Sequence, residues 1–434
     1  MNVGTLETQQ QTTLAAPALE RSAVRLHYID WLRVLAVLLL FPFHTLRVYN
    51  AGEAFYVKGA QLSAAVDVVV DFIGLWHMPL LMLLAGCSTY FALHKRTSRR
   101  YLGERLVRLG VPFVFGLFIL CPPQCWFGGR FNSGYTASYW TYLTNGDFFR
   151  FDIRDFDGGF GTCQLWFILA LLLISIVLLP LLAWGRGERG GGVMRSISCR
   201  LARPLWWPLL PFVVAVGYLV PDPPPSYLLN FDPSVAYYLM FFALGYLVVC
   251  DKAFMATALR YRWWALAIGT ALAIVWLANR NWLDTDPDMS WRVFWAMYAA
   301  GLGNWLILVG ILGCGKRYLD RTSPALSYLA EGSYPVYILH QTVIVLFAFY
   351  IVGWAVWEPL QWVALLAVSV VVTFALYEGV RRWSVTRFLF GMRPKRRPAA
   401  EVEKAADVAV GSAATRSAAR RDSGAPTSTL SPRR

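Results

Sequence analysis

Charge is what this sequence has least of for its size. Asp, Glu, Lys and Arg make up 15% of its 434 residues, against 57% hydrophobic ones, where a soluble domain carries about 25% charged residues. So little polar surface cannot cover a water-soluble globule of this length, and a soluble enzyme is excluded. Metal-ligating side chains are sparse too, with five histidines and seven cysteines. Cys121 and Cys125 stand near each other, but no histidine or further cysteine lies close enough in sequence to complete a zinc set. The acidic run Asp152, Asp155, Asp157 departs from calcium-loop spacing and has no closing Glu, so no metal is expected. The first 24 residues lack a basic start followed by an apolar core, which excludes a cleavable signal peptide. The net charge of +14 is spread through short segments between apolar stretches rather than gathered on one folded patch, and this excludes nucleic-acid binding.

What is abundant is long apolar runs. Taking about 17–25 residues as the length that crosses a bilayer, spans are expected near 29–48, 66–93, 108–126, 164–184, 204–220, 231–250, 263–279, 291–313, 334–353 and 359–380. Lys and Arg alternate between them. Segments 94–108, 185–203, 251–262 and 314–333 together hold 17, while 49–65, 127–163, 221–230, 280–290 and 354–358 hold 5. Basic segments stay in the cytoplasm; the N-terminal tail carries Arg21 and Arg25, and the chain from 381 onward carries thirteen basic residues. The expected fold is all-α: a polytopic protein of about ten transmembrane helices, in the cell inner (plasma) membrane, with both termini cytoplasmic. Residues 26–393 form the membrane domain, between disordered tails at 1–25 and 394–434. Cys121, Cys125 and Cys163 then fall at or beyond the outer face, where an oxidising compartment would allow one disulfide.

The informative residues are ionisable groups placed inside apolar runs, because each costs on the order of a few kcal/mol unless it faces a polar cavity. All 40 Lys and Arg fall in tails, loops or loop edges except Arg33 and Arg292. His44 follows Arg33 on the first span, ~16 Å further along and ~20° beyond three full turns, so both project from one helix face. Such a cation and base could line one tunnel. The blander reading of the same spacing is a snorkelling Arg33 and a His44 bonded to a neighbouring helix. His340 and Glu378, on the last two spans, and His77 and Asp71, on the second, are candidates for the same polar core, or for interhelix hydrogen bonds. Arg105 and Arg108 stand among six basic residues at the inner mouth of the third span, which fits either an anion site or ordinary positive-inside anchoring. The outer segment 127–163 mixes eleven aromatics with aspartates, a combination that holds sugars and is also common at membrane interfaces.

These residues fall into a known pattern. Tyr28-Ile-Asp-Trp-Leu-Arg33 through Pro42-Phe-His44 resembles the first helix of the membrane acyltransferase-3 family, marked by an Arg, ten residues and a His. Phe72 to Ser88, Arg105-Leu-Val-Arg108, Gln164-Leu-Trp-Phe, Ser333-Tyr-Pro-Val-Tyr-Ile-Leu-His340 and Tyr377-Glu378 through Gly391 resemble later landmarks in the same order. The Trp-His-Met-Pro and Ile-Leu-His forms lean toward the branch of glucan succinyltransferases. Glu378 is followed by Gly379 and Val380 where the family has Glu-x-Pro. The resemblance implies transfer of an acetyl- or succinyl-class group from cytoplasmic acyl-CoA to a hydroxyl of a glycan, glycolipid or other envelope acceptor, with no tightly bound cofactor. It implies His44 and Arg33 as catalytic residues and Arg105 and Arg108 as donor-binding ones. The alternative for a polar core in such a bundle is a transporter or flippase of a lipid-linked sugar.

The charge asymmetry makes a direct prediction about orientation. Single cysteines placed in 94–108 and 185–203 should react with a membrane-impermeant maleimide only in inverted vesicles, and those in 127–163 only in intact cells. Labelling of 127–163 from the cytoplasmic side alone would reverse the orientation.

Overall fold

The computed structural model describes residues 26–212, 235–283 and 291–394. The expected tails, part of the span near 204–220 and the side chain of Arg292 lie outside the described residues.

Every regular element among the described residues is helical. The chain opens with α1 (His27–Leu46) and α2 (Ala64–Lys95). An interrupted stretch follows: α3 (Ser98–Arg105), a π-helical turn (Leu106–Gly110), α4 (Val111–Ile119) and α5 (Cys121–Asn132). A folded connection containing α6 (Tyr139–Thr144) leads to α7 (Trp166–Val177), α8 (Leu179–Trp184) and α9 (Glu188–Leu201). The remaining helices are α10 (Val235–Val248), α11 (Lys252–Leu283), α12 (Trp291–Tyr318), α13 (Pro324–Ile351), α14 (Glu358–Val380) and α15 (Ser384–Leu389). Seven helical stretches among the described residues are long and apolar enough to cross a bilayer: α1, α2, the stretch from Ser98 to Asn132, and the greater part of α11 through α14. Two shorter apolar helices, Cys163–Val177 and Tyr237–Val248, coincide with two further runs of the sequence. The runs near 108–126 and 164–184 are not single helices. Prolines stand in the first turns of α4, α5 and α8, where the missing amide is harmless at a helix start but would break a helix interior.

α13 is the axis of the bundle. Of its apolar window 67% is buried, against 17% for that of α11. It packs against α1 and α14, while α2 pairs with α10, and α11 with α12. The α2–α10 pair owes its closeness to two glycines. A Cβ on Gly86 would lie 2.0 Å from the carbonyl oxygen of Phe242, and one on Gly245 would lie 2.0 Å from that of Leu83. In lipid, where apolar side chains gain nothing by leaving the solvent, such backbone approach is what drives helices together. Three long helices also carry interior prolines: Pro42 in α1, Pro79 in α2 and Pro335 in α13. Each removes the amide that would bond the carbonyl four residues back, those of Leu38, Leu75 and Glu331.

The connection between α5 and α7 is a folded cap. Asn132 Nδ2 donates to the carbonyl of Phe156 at 2.8 Å, and the Tyr142 hydroxyl to that of Gly158 at 2.7 Å. Tyr142 and Phe148 are buried within it, whereas Trp140 is 73% exposed. The segment after α1 joins this cap through Tyr56, whose hydroxyl donates to the Asp155 carboxylate. Asp155 is 3% exposed, and burial pushes its carboxyl up to about 7.

That shift sets a pH dependence with a definite sign. An unfolded aspartate titrates near 3.9, so folding takes up a proton at this site between about pH 4 and 7. The stabilisation is complete below that window and is lost as pH rises through about 7, by up to on the order of 4 kcal/mol. In detergent, the thermal midpoint of Asp155→Asn should fall less steeply between pH 4.5 and 7.5 than that of the unaltered protein. Parallel curves would mean that Asp155 is already ionised in the folded state.

Candidate active site

Two imidazoles meet where α1 packs on α13. The ring centroids of His44 and His340 are 5.1 Å apart. His44 is also stacked on Phe55 at 6.2 Å, which ties it to the segment beneath the cap, and Phe41 presents an edge to His340 at 6.0 Å. Hydrogen bonding fixes one tautomer. Nδ1 of His340 lies 2.6 Å from the carbonyl oxygen of Tyr337. A carbonyl only accepts, so Nδ1 carries the proton and Nε2 of the neutral ring keeps its lone pair. That Nε2 is buried without a hydrogen-bond partner, and so is Nδ1 of His44. Leaving a buried polar atom unmatched costs about 1–3 kcal/mol, and native proteins keep few such atoms without a chemical reason.

His77 differs. Its Nε2 donates to the carbonyl of Ala36 at 2.7 Å, so it ties α2 to α1 and is occupied in doing so. Asp71 lies on α2 ~9 Å along the axis from His77. Arg33 sits at the α1–α2 seam, paired with Asp30 at 3.1 Å and donating to Ser88 Oγ at 2.6 Å. Its head is thereby fixed between two helices rather than snorkelling freely.

The basic residues that follow α2 are equally placed. Arg105 donates to the hydroxyls of Tyr101 at 3.1 Å and Thr89 at 3.0 Å, binding α3 to α2. Arg108 donates from Nε to the carbonyl of Gly391 at 3.3 Å. Glu378 accepts from Tyr328 at 2.8 Å and from Arg381 at 3.1 Å. Tyr328 precedes His340 on α13 by ~18 Å of rise, so Glu378 belongs to the end of the bundle where α13 begins and not to the imidazole centre.

The residues that support the centre were not picked out as site residues in the sequence. Gln164 Nε2 donates to the carbonyl of Ile338 at 2.7 Å, and the Tyr337 hydroxyl donates to the carbonyl of Gln164. Gln124 Nε2 donates to Gln164 Oε1 at 3.0 Å and to Thr342 Oγ1 at 2.9 Å. This glutamine pair grips α13 on both sides of His340. A buried amide within an apolar run was the available signal, since it must be matched internally. Beside it Cys121, Cys125 and Cys163 gather as free thiols, with the last two sulfurs 3.8 Å apart.

An arrangement with a lone pair at membrane depth, a second imidazole beside it and an arginine on the same helix suits transfer of a group to a hydroxyl. Known proteins agree. A family model described as an acyltransferase domain matches residues 26–378. The chain is similar to glucans biosynthesis protein C of Salmonella schwarzengrund (strain CVM19633) and of Salmonella heidelberg (strain SL476). Each is 22% identical over 398 residues, covering 86% of this chain and 96% of the relative. No solved structure matches. The chain belongs to the acyltransferase-3 family and is a multi-pass membrane acyltransferase.

Proposed function

We propose that this protein moves an acetyl- or succinyl-class group from cytoplasmic acyl-CoA to a hydroxyl of a glycan, glycolipid or other envelope acceptor, in the inner (plasma) membrane. The donor acts as cosubstrate, with no tightly bound cofactor. The observation that carries the reading is the pair of buried, unmatched nitrogens on His44 and His340. The relatives' name supports a glucan as the acceptor class, and the excess of Lys and Arg in alternate segments supports a cytoplasmic origin for the donor.

In the chemical step the acceptor oxygen attacks the thioester carbonyl while His44 takes its proton. The tetrahedral adduct collapses, the carbon–sulfur bond breaks, and the leaving thiolate recovers the proton from His44. The product ester and free thiol then balance the reaction. Imidazole suits this duty because its ordinary titration lies near neutrality. His340 cannot donate through Nε2 in its bonded tautomer, so it does not polarise the thioester. Its unmatched lone pair belongs to a ring centred 5.1 Å from that of His44, and accepting a hydrogen bond from the imidazolium that His44 becomes would contribute about 1.5–3 kcal/mol. Arg33, on the donor side of the same helix, orients the donor.

His44→Ala should lower turnover by roughly 10²–10⁴-fold, measured with radiolabelled acyl-CoA on purified protein in nanodiscs, while donor affinity stays within about twofold. Arg33→Ala should act instead through donor binding or orientation. Undiminished transfer by a monodisperse His44→Ala protein would remove His44 from the base's role.

A further inference from the structure

At the inner end of α13 the chain builds a cleft that the chemistry above leaves unused. It has a volume of about 600 Å³ and is lined by Glu331, Glu378, Arg381, Arg382, Arg387 and Arg393. Four guanidinium groups face two carboxylates, so the cleft keeps a positive surplus. We infer that this cleft binds the phosphates of the donor's nucleotide, an inference that rests on the reading of acyl-CoA as donor.

The way the charges are built in sets this cleft apart from membrane anchoring. Anchoring needs only mobile surface cations. Arg387 is the opposite, with its side chain 7% exposed. It pairs with Glu331 at 2.8 Å and donates to the carbonyls of Arg393 at 2.6 Å and Arg381 at 3.3 Å. Arg381 in turn pairs with Glu378 at 3.1 Å and lies 3.7 Å from Glu331. Both carboxylates are therefore engaged with guanidinium groups of the cleft, which still outnumber them four to two. Preorganised guanidinium groups bind phosphate in paired hydrogen bonds, which a mobile ammonium does not match.

The segment that carries Arg393 packs against Arg108, which the family resemblance implies as donor-binding. Gly391 has φ +63°, and a Cβ there would lie 2.5 Å from the Arg108 carbonyl and 2.7 Å from the Tyr334 ring. This left-handed glycine lets the segment after α15 close against Arg108 and Tyr334 together. A second observation points to a ligand. The Tyr334 hydroxyl is buried without a hydrogen-bond partner, on α13 between the cleft and His340. From Glu331 to His340 the helix rises ~14 Å, a distance that an extended pantetheine arm covers. Phosphates held by the exposed Arg382 and Arg393, against the wall that Arg381 and Arg387 build, would leave the thioester to reach the imidazole pair, with the arm passing Tyr334.

Phosphate could also come from an anionic lipid headgroup, and the experiment separates the two. Binding of CoA, dephospho-CoA and adenosine 3′,5′-bisphosphate would be measured calorimetrically on the full chain in phosphatidylcholine nanodiscs, and again with phosphatidylglycerol added. The unaltered protein should bind CoA roughly tenfold tighter than dephospho-CoA, with the bisphosphate competing. The Arg382→Gln/Arg393→Gln double variant should bind CoA roughly tenfold or more weakly and lose that discrimination. Its rate with a succinyl- or acetyl-pantetheine donor, which has no nucleotide, should be unchanged. Equal CoA affinity in the monodisperse double variant would overturn the cleft assignment and leave the donor reading intact. A variant defect confined to phosphatidylglycerol-dependent stability would likewise overturn it in favour of a lipid site. Failure of the unaltered protein to bind CoA at all would overturn the donor reading itself. The comparison of CoA with dephospho-CoA on the unaltered chain tests the proposal even where a variant folds poorly.

Discussion

Inside a bilayer a polar atom has no water to turn to, so every donor and acceptor is matched within the protein or stands out as unmatched. That constraint sorts the polar residues of this bundle. His77 gives its proton to the Ala36 carbonyl, Arg33 is held by Asp30 and Ser88, and Arg105 by Tyr101 and Thr89. These groups hold helices together. His44 and His340 meet in the same interior with nitrogens left over, and it is on that surplus that the proposed proton transfer rests.

The surroundings of the pair are rigid where rigidity matters. Gln164 and Gln124 fasten α13 around His340, and Phe55 stacks on His44 from beneath the cap. The cap is held from inside. Its ion pairs Arg150–Asp152 and Arg154–Asp157 are substantially exposed, and solvent screening leaves such pairs little weight. The buried Tyr56–Asp155 contact and the side chains that bond backbone carbonyls of the 156–158 turn outweigh them.

Much of this was readable in the sequence, and the gaps have physical causes. Apolar length located the long helices because the bilayer imposes it, and helical spacing put Arg33 and His44 on one face. Spacing along a helix says nothing of which helix lies beside it. The meeting of His44 with His340, and the diversion of His77 to a backbone carbonyl, depend on contacts between segments tens to hundreds of residues apart. Prolines at 112, 122, 123 and 180 mark where two apolar runs divide into shorter helices, a local signal that a hydropathy count passes over. A count of arginines between and beyond the spans cannot distinguish a cation on a loose tail from Arg387, which is enclosed and paired with Glu331.

The interior prolines have a mechanical consequence. Pro42 stands two residues before His44, Pro79 two residues after His77, and Pro335 five residues before His340. At each of them a helix loses one rung of its hydrogen-bond ladder and gains a point about which it can bend. All three histidine-bearing helices are therefore most compliant close to their imidazoles, while the α2–α10 contact through Gly86 and Gly245 resists sliding elsewhere along α2. Displacements of the size that separates a resting hydroxyl from an attacking one can be taken up at these joints, leaving the rest of the bundle in register.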